Sequence, residues 1–344
     1  MQTRSSIPWC NGSPPPESGM ARKIRNNFAR RRSSRGRAYT DMVELIRLRY
    51  AVHELDSLTL PRSINPQSGL LTSKFRGRGT DFAEVRIYQP GDDVRSIDWR
   101  VTARTQTPHT KLFQEEKERP VMILVDQSAS MFFGSKISFK SVAAAETAAL
   151  IAWTTLDRGD RVGGIIFSDS QHREVRPRRS KHSVLRLLNE IHDFNHLLCR
   201  QQKNEPEPVE VDYLAEALRN VRRVVKHGSA IFLISDFRSF NELARIHLRQ
   251  LARHNDIVGI LISDPLEKSL PAPDLYTITN GISKASINTA DRNYRRQYEE
   301  SYDKYITELQ SEFARIKSPL LELSTIDPIG HTLSKHFTEQ AAQA

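Results

Sequence analysis

The chain has 344 residues, 38% of them hydrophobic, which suffices for the core of one large domain or two ordinary ones. The net charge is +10, yet residues 1–40 hold nine Lys or Arg and one Glu, which leaves 42 basic and 40 acidic residues elsewhere. No stretch reaches the ~20 apolar residues of a membrane span, no secretory signal is apparent, and there are only two cysteines. The composition thus argues against membrane-spanning and disulfide-rich secreted proteins, and predicts a globular cytoplasmic protein.

Residues 1–40 are predicted to be a disordered basic tail. The run "RKIRNNFARRRSSRGR" (22–37) has no apolar periodicity and mixes Arg with Ser, Asn and Gly. Such a tail could contact RNA, DNA or an acidic protein, or could simply be solvated. Any nucleic-acid binding is therefore expected to depend on this segment alone.

Residues 41–118 are predicted to form an N-terminal helix followed by a β-ribbon segment. The stretch 41–58 places apolar residues at helical spacing, with Asp41 as N-cap. From Arg76 to Arg119, short extended pieces alternate with turn signals such as "QPGDD" (89–93).

Residues 119–344 alternate apolar runs with helical patterns, which predicts an α/β domain with a doubly wound, mostly parallel sheet. Asn280 and Gly281 indicate a hairpin insertion near 264–290. The predicted strands are 121–125, 161–167, 172–178, 229–235, 257–263 and 320–325, and the predicted helices are 138–156, 183–194, 213–225, 240–253, a long one from 291 and a last one near Leu333.

An aromatic stripe marks the long helix that begins at Asp291. Its residues recur at spacings of three or four, which is typical of a core-facing surface rather than a ligand site. The stripe consists of Tyr294, Tyr298, Tyr302, Tyr305, Leu309 and Phe313.

Polar residues follow two of the predicted strands. "LVDQSAS" supplies Asp126, Ser128 and Ser130, "LISDFRS" supplies Asp236, and Asp212 begins the helix before the second strand. In doubly wound order the first and fourth strands are neighbours where the winding reverses, which is where ligands collect in such sheets. Asp and Ser after a strand also commonly cap the next helix, so capping is the alternative reading of each residue.

Carboxylates and hydroxyls without His or Cys suit Mg²⁺ or Mn²⁺ better than zinc. Because Mg²⁺ retains open positions for water, a carboxylate or phosphate from another molecule could complete its coordination. The sequence therefore predicts a hard divalent cation at these loops.

The run "DQSAS" resembles the D-x-S-x-S of von Willebrand factor A domains, whose metal-ion-dependent adhesion site lies at this place. Together with "RGRGTDFAEVRIYQPGDDVRSIDWRVTAR" (76–104), it is similar to the bacterial family called domain of unknown function 58. The resemblance covers roughly residues 41–340 and implies a Rossmann-like fold of von Willebrand factor A type. It implies metal ligands at Asp126, Ser128, Ser130 and Asp236, with Asp212 where those domains usually have Thr.

The resemblance also implies a function. By this resemblance, members are typically encoded beside MoxR-type AAA+ ATPases and act with them as adaptors in assembling or activating protein complexes, with other von Willebrand factor A proteins as further partners. An acidic side chain of the partner would then complete the metal's coordination. The chain has no G-x-x-x-x-G-K-[ST], so nucleotide hydrolysis is expected in the partner and not here.

An enzyme that uses Asp126 or the metal for phosphoryl transfer is the alternative to an adaptor. It is weaker, because a haloacid-dehalogenase-type phosphatase needs D-x-D-x-T where Ser128 and Ser130 stand. The G-x-S-x-G of α/β hydrolases is also missing from the sequence.

Two charged segments outside the predicted metal site are candidate interaction surfaces. "GDDVRSIDWR" (91–100) could be a docking face or, the interpretation we favour, a structural ion-pair network. With Arg86, its candidate interaction residues are Asp92, Asp93, Arg95, Asp98, Trp99 and Arg100. The basic run "HREVRPRRSKH" (172–182) could contact an acidic partner or be a solvated strand and loop.

Overall fold

The computed structural model describes residues 37–55, 81–89, 92–114, 120–201, 213–279 and 284–343. The predicted basic tail lies outside these ranges except for its last four residues. Helix α1 (Met42–Arg47) begins at Asp41, whose side chain accepts the N–H of Val43 at 2.8 Å, as an N-cap does.

The helix predicted over 41–58 is α-helical only to Arg47, and the chain continues as a 3₁₀ helix over Leu48–Leu55. The carbonyl of Leu45 accepts a hydrogen bond from the Trp153 indole at 3.1 Å, at the point where the helix tightens. Leu45 and Val52 are both buried, so this segment is fixed by its packing on the domain.

The predicted β-ribbon segment contains an antiparallel pair, β1 (Asp81–Ile87) and β2 (His109–Gln114). Between them lie a 3₁₀ turn (Val94–Ser96) and a short helix α2 (Trp99–Thr105). The prediction of ribbon and loop alone was wrong for α2, which forms because the side chain of Asp98 caps its first turn.

A six-stranded sheet forms the centre of the domain. Its order is β10-β7-β6-β3-β4-β5, and every neighbouring pair is parallel except β4 with β5. The winding reverses between β3 and β6, which confirms the predicted doubly wound sheet with its first and fourth strands adjacent. The strands are β3 (Pro120–Asp126), β4 (Arg161–Phe167), β5 (His172–Arg178), β6 (Ala230–Ser235), β7 (Asp256–Ser263) and β10 (Leu320–Ser324).

Helices cover both faces of the sheet, and each face has its own apolar core. The first face carries α3 (Lys140–Asp157), α4 (Lys181–Gln201) and α9 (Ile329–Gln343). The second face carries α5 (Tyr213–Val224), α6 (Glu242–Ala252) and α8 (Arg292–Arg315). The central strands are buried on both sides, which is why they read as continuous apolar runs.

After β7 the chain forms a one-turn helix α7 (Pro265–Lys268) and an antiparallel hairpin of β8 (Leu275–Thr279) and β9 (Lys284–Asn288). The Asn280–Gly281 turn itself lies outside the described residues. Within the described part of the chain, every helix is too short or too polar to cross a bilayer.

The aromatic stripe of α8 is core-facing only at its C-terminal end. Leu309 and Phe313 are buried, whereas Tyr294 is 39% exposed. Tyr298 and Tyr305 are intermediate, because their hydroxyls donate to the carbonyls of Leu266 and Asp236. The prediction of a core surface was therefore wrong for the N-terminal half, where the stripe meets polar backbone.

Candidate metal centre

Asp126 is the last residue of β3 and is only 1% exposed. Its Oδ1 accepts the N–H of Ser128 at 2.9 Å, and its Oδ2 accepts the hydroxyl of Ser235 at 2.5 Å. The carboxylate is thus fixed beneath its own loop by one bond from that loop and one from the neighbouring strand β6.

The two serines of the D-x-S-x-S run lie above this carboxylate. The hydroxyls of Ser128 and Ser130 are 3.1 Å apart, with Ser128 partly exposed and Ser130 exposed. Ser128 precedes the 3₁₀ turn Ala129–Met131 but its side chain makes no capping hydrogen bond. Helix capping therefore does not account for Ser128, and both hydroxyls are placed to bind a ligand from solvent.

Asp236 directly follows β6, whose Ile234 is in register with Val125 of β3. It is 3% exposed, and its Oδ1 accepts the N–H of Arg238 at 3.1 Å. Burial and, second to it, the nearby charge of Asp236 together raise the pKa of Asp126 to about 7. The two carboxylates are thus close enough to repel each other across the reversal of the winding.

A buried lysine neutralises part of this negative charge. Lys140, at the start of α3, is 1% exposed and donates to Asp236 Oδ2 at 2.6 Å and to Glu267 Oε1 at 2.7 Å. Arg238 donates to the same Glu267 oxygen at 3.1 Å. Asp126, in contrast, forms no ion pair with any residue that the structure describes, so none of those residues neutralises its charge directly.

The loop after β6 is fixed by aromatic packing. Phe237 has φ of 55°, a left-handed conformation that is uncommon for a bulky residue. Its ring is fully buried and makes edge contacts with Phe240 at 5.9 Å and Phe313 at 5.5 Å. Tyr305 donates to the carbonyl of Asp236 at 2.5 Å, so α8 also anchors this loop.

Asp212, the remaining predicted ligand, lies outside the described residues. A further acid, Asp169 in the β4–β5 turn, accepts the N–H of Ala129 at 2.5 Å. Lys140, Glu267, Ser235 and Asp169 were missed by sequence reasoning. Of these four residues, only Glu267 could have been recognised in the sequence, because Asp264 and Glu267 have the spacing of a capping box at the start of a helix, here α7.

The donor chemistry of these loops fits a hard divalent cation. Among the described residues, no three His, Cys, Asp or Glu side chains are grouped to hold a metal, so a site here depends on the serine hydroxyls. Asp126 supplies a carboxylate that forms no ion pair within the described ranges, and Ser128 and Ser130 supply two adjacent hydroxyls, which are donors that Mg²⁺ or Mn²⁺ prefers. Asp236 could take part only by sharing its charge with Lys140.

The described part of the 91–100 segment, residues 92–100, lies between β1 and β2, and its acids bond to nearby backbone N–H groups and to cations of both strands, with Lys111 lying 3.5 Å from Asp98. Arg86 pairs with Asp92 at 2.6 Å, and Asp93 accepts the N–H of Arg95 at 3.0 Å. Asp98 accepts the N–H groups of Arg100 and Val101 at 3.0 and 3.2 Å.

Trp99, in contrast, is 68% exposed, and Arg95 and Arg100 are also exposed. The segment therefore combines a structural polar network with one solvent-facing aromatic ring.

The strand order, the single antiparallel strand β5 and the loops at the winding reversal define a doubly wound domain of von Willebrand factor A type. The chain belongs to the family described as protein of unknown function DUF58, whose model matches residues 84–307.

Curated relatives include uncharacterized proteins of Mycobacterium tuberculosis and Mycobacterium bovis, each 32% identical over 198 residues, which is 57% of this chain and 58% of the relative. The chain thus spans little more than half the length of these relatives. The uncharacterized protein YeaD of Bacillus subtilis is 36% identical over 56 residues, 16% of this chain and 14% of that protein.

Similar solved structures include BatB from Bacteroides thetaiotaomicron, with a TM-score of 0.38 and 14% identity over 65% of this chain and 99% of that one. A von Willebrand factor type A protein from Catenulispora acidiphila gives a TM-score of 0.32 and 13% identity, covering 67% of this chain and 43% of that one.

Proposed function

We propose that this chain is a non-enzymatic, metal-dependent protein-interaction module. The observation that carries the proposal is the approach of Asp236 to the Asp126–Ser128–Ser130 loop at the reversal of the sheet. The buried charge of Asp126 would attract a cation. Because the hydroxyl of Ser130 is exposed, a cation bound to it would remain in contact with solvent. A carboxylate from a partner would complete its coordination.

We infer further, from the family resemblance, that the partner is a MoxR-type AAA+ ATPase and that this chain is its adaptor in assembling or activating other protein complexes. ATP hydrolysis would then take place in the partner. The resident ligands would be Asp126, Ser128 and Ser130, with Asp236 and Asp212 contributing directly or through water.

The burial of Asp126 argues against this residue as the nucleophile or general base of the phosphoryl-transfer alternative. A nucleophile or general base must reach its substrate within hydrogen-bond distance. Asp126 is 1% exposed and both of its oxygens already accept hydrogen bonds, so a substrate in solution has no direct path to it.

Co-purification tests the proposal. A MoxR-type ATPase from the same organism should be recovered with the chain in Mg²⁺ and lost in EDTA, and Ser128→Ala or Ser130→Ala should weaken recovery in Mg²⁺. Asp303→Ala, at an exposed position of α8, is the matched control and should leave recovery unchanged. Equal recovery with and without EDTA would refute a metal-bridged contact.

A further inference from the structure

A cavity of about 500 Å³ opens between the edge strand β5 and the start of α4, away from the loops described above. Strand β5 is antiparallel to β4, so His172 lies beside Phe167 at the carboxyl end of β4 and Arg178 beside Val162 at its amino end. Helix α4 begins three residues after Arg178. The lining residues are Glu174, Val175, Arg176, Arg178, Ser180, His182, Ser183 and Arg186.

The walls of this cavity carry an excess of positive charge. Three arginines and a histidine line it against one acid, Glu174, which is 3.7 Å from the side chain of Arg176. Arg178 and Arg186 form no ion pair with any residue in the described ranges. Both side chains are exposed, so an anion from solvent can reach their guanidinium groups and pair with them.

The start of α4 adds to this field. The helix has 21 residues and no acidic residue in its first turn, so nothing on the helix offsets the positive end of its dipole. Ser183 is not available to a ligand as a donor, because its hydroxyl donates to the carbonyl of Val162 at 3.0 Å. Recognition would therefore come from the guanidinium groups, whose planar forks match phosphate oxygens.

Charged residues and a proline on an edge strand also protect sheets from aggregation, and Pro177 lies in β5. Protection against aggregation explains the charged residues along β5 itself. It does not explain Arg186, which belongs to α4 and faces the same cavity as Arg178. Because arginines from both β5 and α4 line the same cavity, a binding site explains them better than protection of the strand does.

We propose that this basic cavity binds a small phosphorylated ligand carrying at least two negative charges. The volume exceeds that of one phosphate group and lies in the range of small-molecule pockets. The site is separate from the proposed metal centre, so ligand binding should persist in EDTA and in Asp126→Asn.

Isothermal titration calorimetry in EDTA tests the proposal with pyrophosphate and ADP as probes. Wild-type protein should bind at least one of them with a submillimolar dissociation constant that weakens as salt rises. Equal affinity for both would identify the phosphate group as the recognised part, and tighter ADP binding would add a contribution from the nucleoside.

The double variant Arg178→Gln/Arg186→Gln should bind about tenfold or more weakly, since it loses two charge-assisted contacts. Arg223→Gln/Arg253→Gln is the matched control, because it removes the same charge from exposed arginines elsewhere and should change binding less than about twofold. Thermal denaturation checks that both variants fold. The proposal is overturned by equal affinity in the cavity variant, by no binding at millimolar ligand, or by binding of an oligonucleotide with neither small probe bound.

Discussion

Replacing Asp126 by Asn should stabilise the metal-free protein, although it removes a hydrogen-bonded residue at the centre of the proposed site. Burial and the charge of Asp236 raise the pKa of Asp126 from 3.8 to about 7. Between these values the folded protein retains a proton that the unfolded chain releases. Stability therefore falls as the pH rises through this window, and the loss is complete above about pH 7.

The size of the effect follows from the pKa difference. A shift of about three units corresponds to ~4 kcal/mol of unfavourable free energy when Asp126 is ionised. Asn carries no charge, but it loses part of the 2.5 Å bond from the Ser235 hydroxyl, which costs ~1 kcal/mol. The net gain above neutral pH is about 2–3 kcal/mol, which for a domain of about 300 residues is a rise in Tm of roughly 3–5 °C.

Thermal denaturation in EDTA from about pH 5 to pH 8 measures this effect. Wild-type Tm should fall across the range more steeply than that of Asp126→Asn, while Asp303→Asn, an exposed control, should follow wild type. A less stable Asp126→Asn protein at pH 8, or two parallel pH profiles, would show that the Asp126 charge is not the cause.

Adding Mg²⁺ separates the buried charge from the metal site. A ligand that binds only the folded state stabilises it in proportion to the logarithm of its concentration over Kd. Wild-type protein should gain stability in Mg²⁺, and Asp126→Asn should not. An equal gain in both proteins would exclude Asp126 as a ligand.

Two further substitutions test the surrounding structure. Lys140→Met should lower the free energy of unfolding by about 3–5 kcal/mol, because it leaves the buried carboxylate of Asp236 without its ion-pair partner, while Glu267 keeps only Arg238. Unchanged urea denaturation would show that Lys140 is dispensable. Gly259→Ala should lower the free energy of unfolding by about 1–3 kcal/mol, because the new Cβ would lie 2.4 Å from the Phe313 ring. Gly330→Ala is its control, because a Cβ at that position has no neighbour within 4 Å. Similar urea midpoints for these two glycine variants would contradict that packing argument.

The central sheet could be predicted because its strands are buried on both faces. "VMILV" and "AIFLIS" are continuous apolar runs, and the helices between them show helical spacing, so the α/β class follows from local pattern. The adjacency of Asp126 and Asp236 was also predictable, because doubly wound order makes their strands neighbours.

Elements stabilised by single polar contacts could not be predicted in the same way. Helix α2 depends on the cap from Asp98, and α1 ends early where Trp153 bonds to Leu45. Tyr298 and Tyr305 of α8 share the spacing of a core stripe, yet their hydroxyls donate to backbone carbonyls. Periodicity reports which face of a helix is turned inward, and not what that face touches.

The sequence by itself determined which loops carry the candidate oxygen ligands and the edge of the sheet on which these loops lie, because strand order and side-chain chemistry are local or topological properties. Only the tertiary structure decided the charge balance there, since Lys140 and Glu267 are 127 residues apart in the chain and meet at 2.7 Å. The same holds for the basic cavity, which requires β5 and α4 to face each other. Electrostatic energy depends on distance and burial, and both are fixed only when the chain packs.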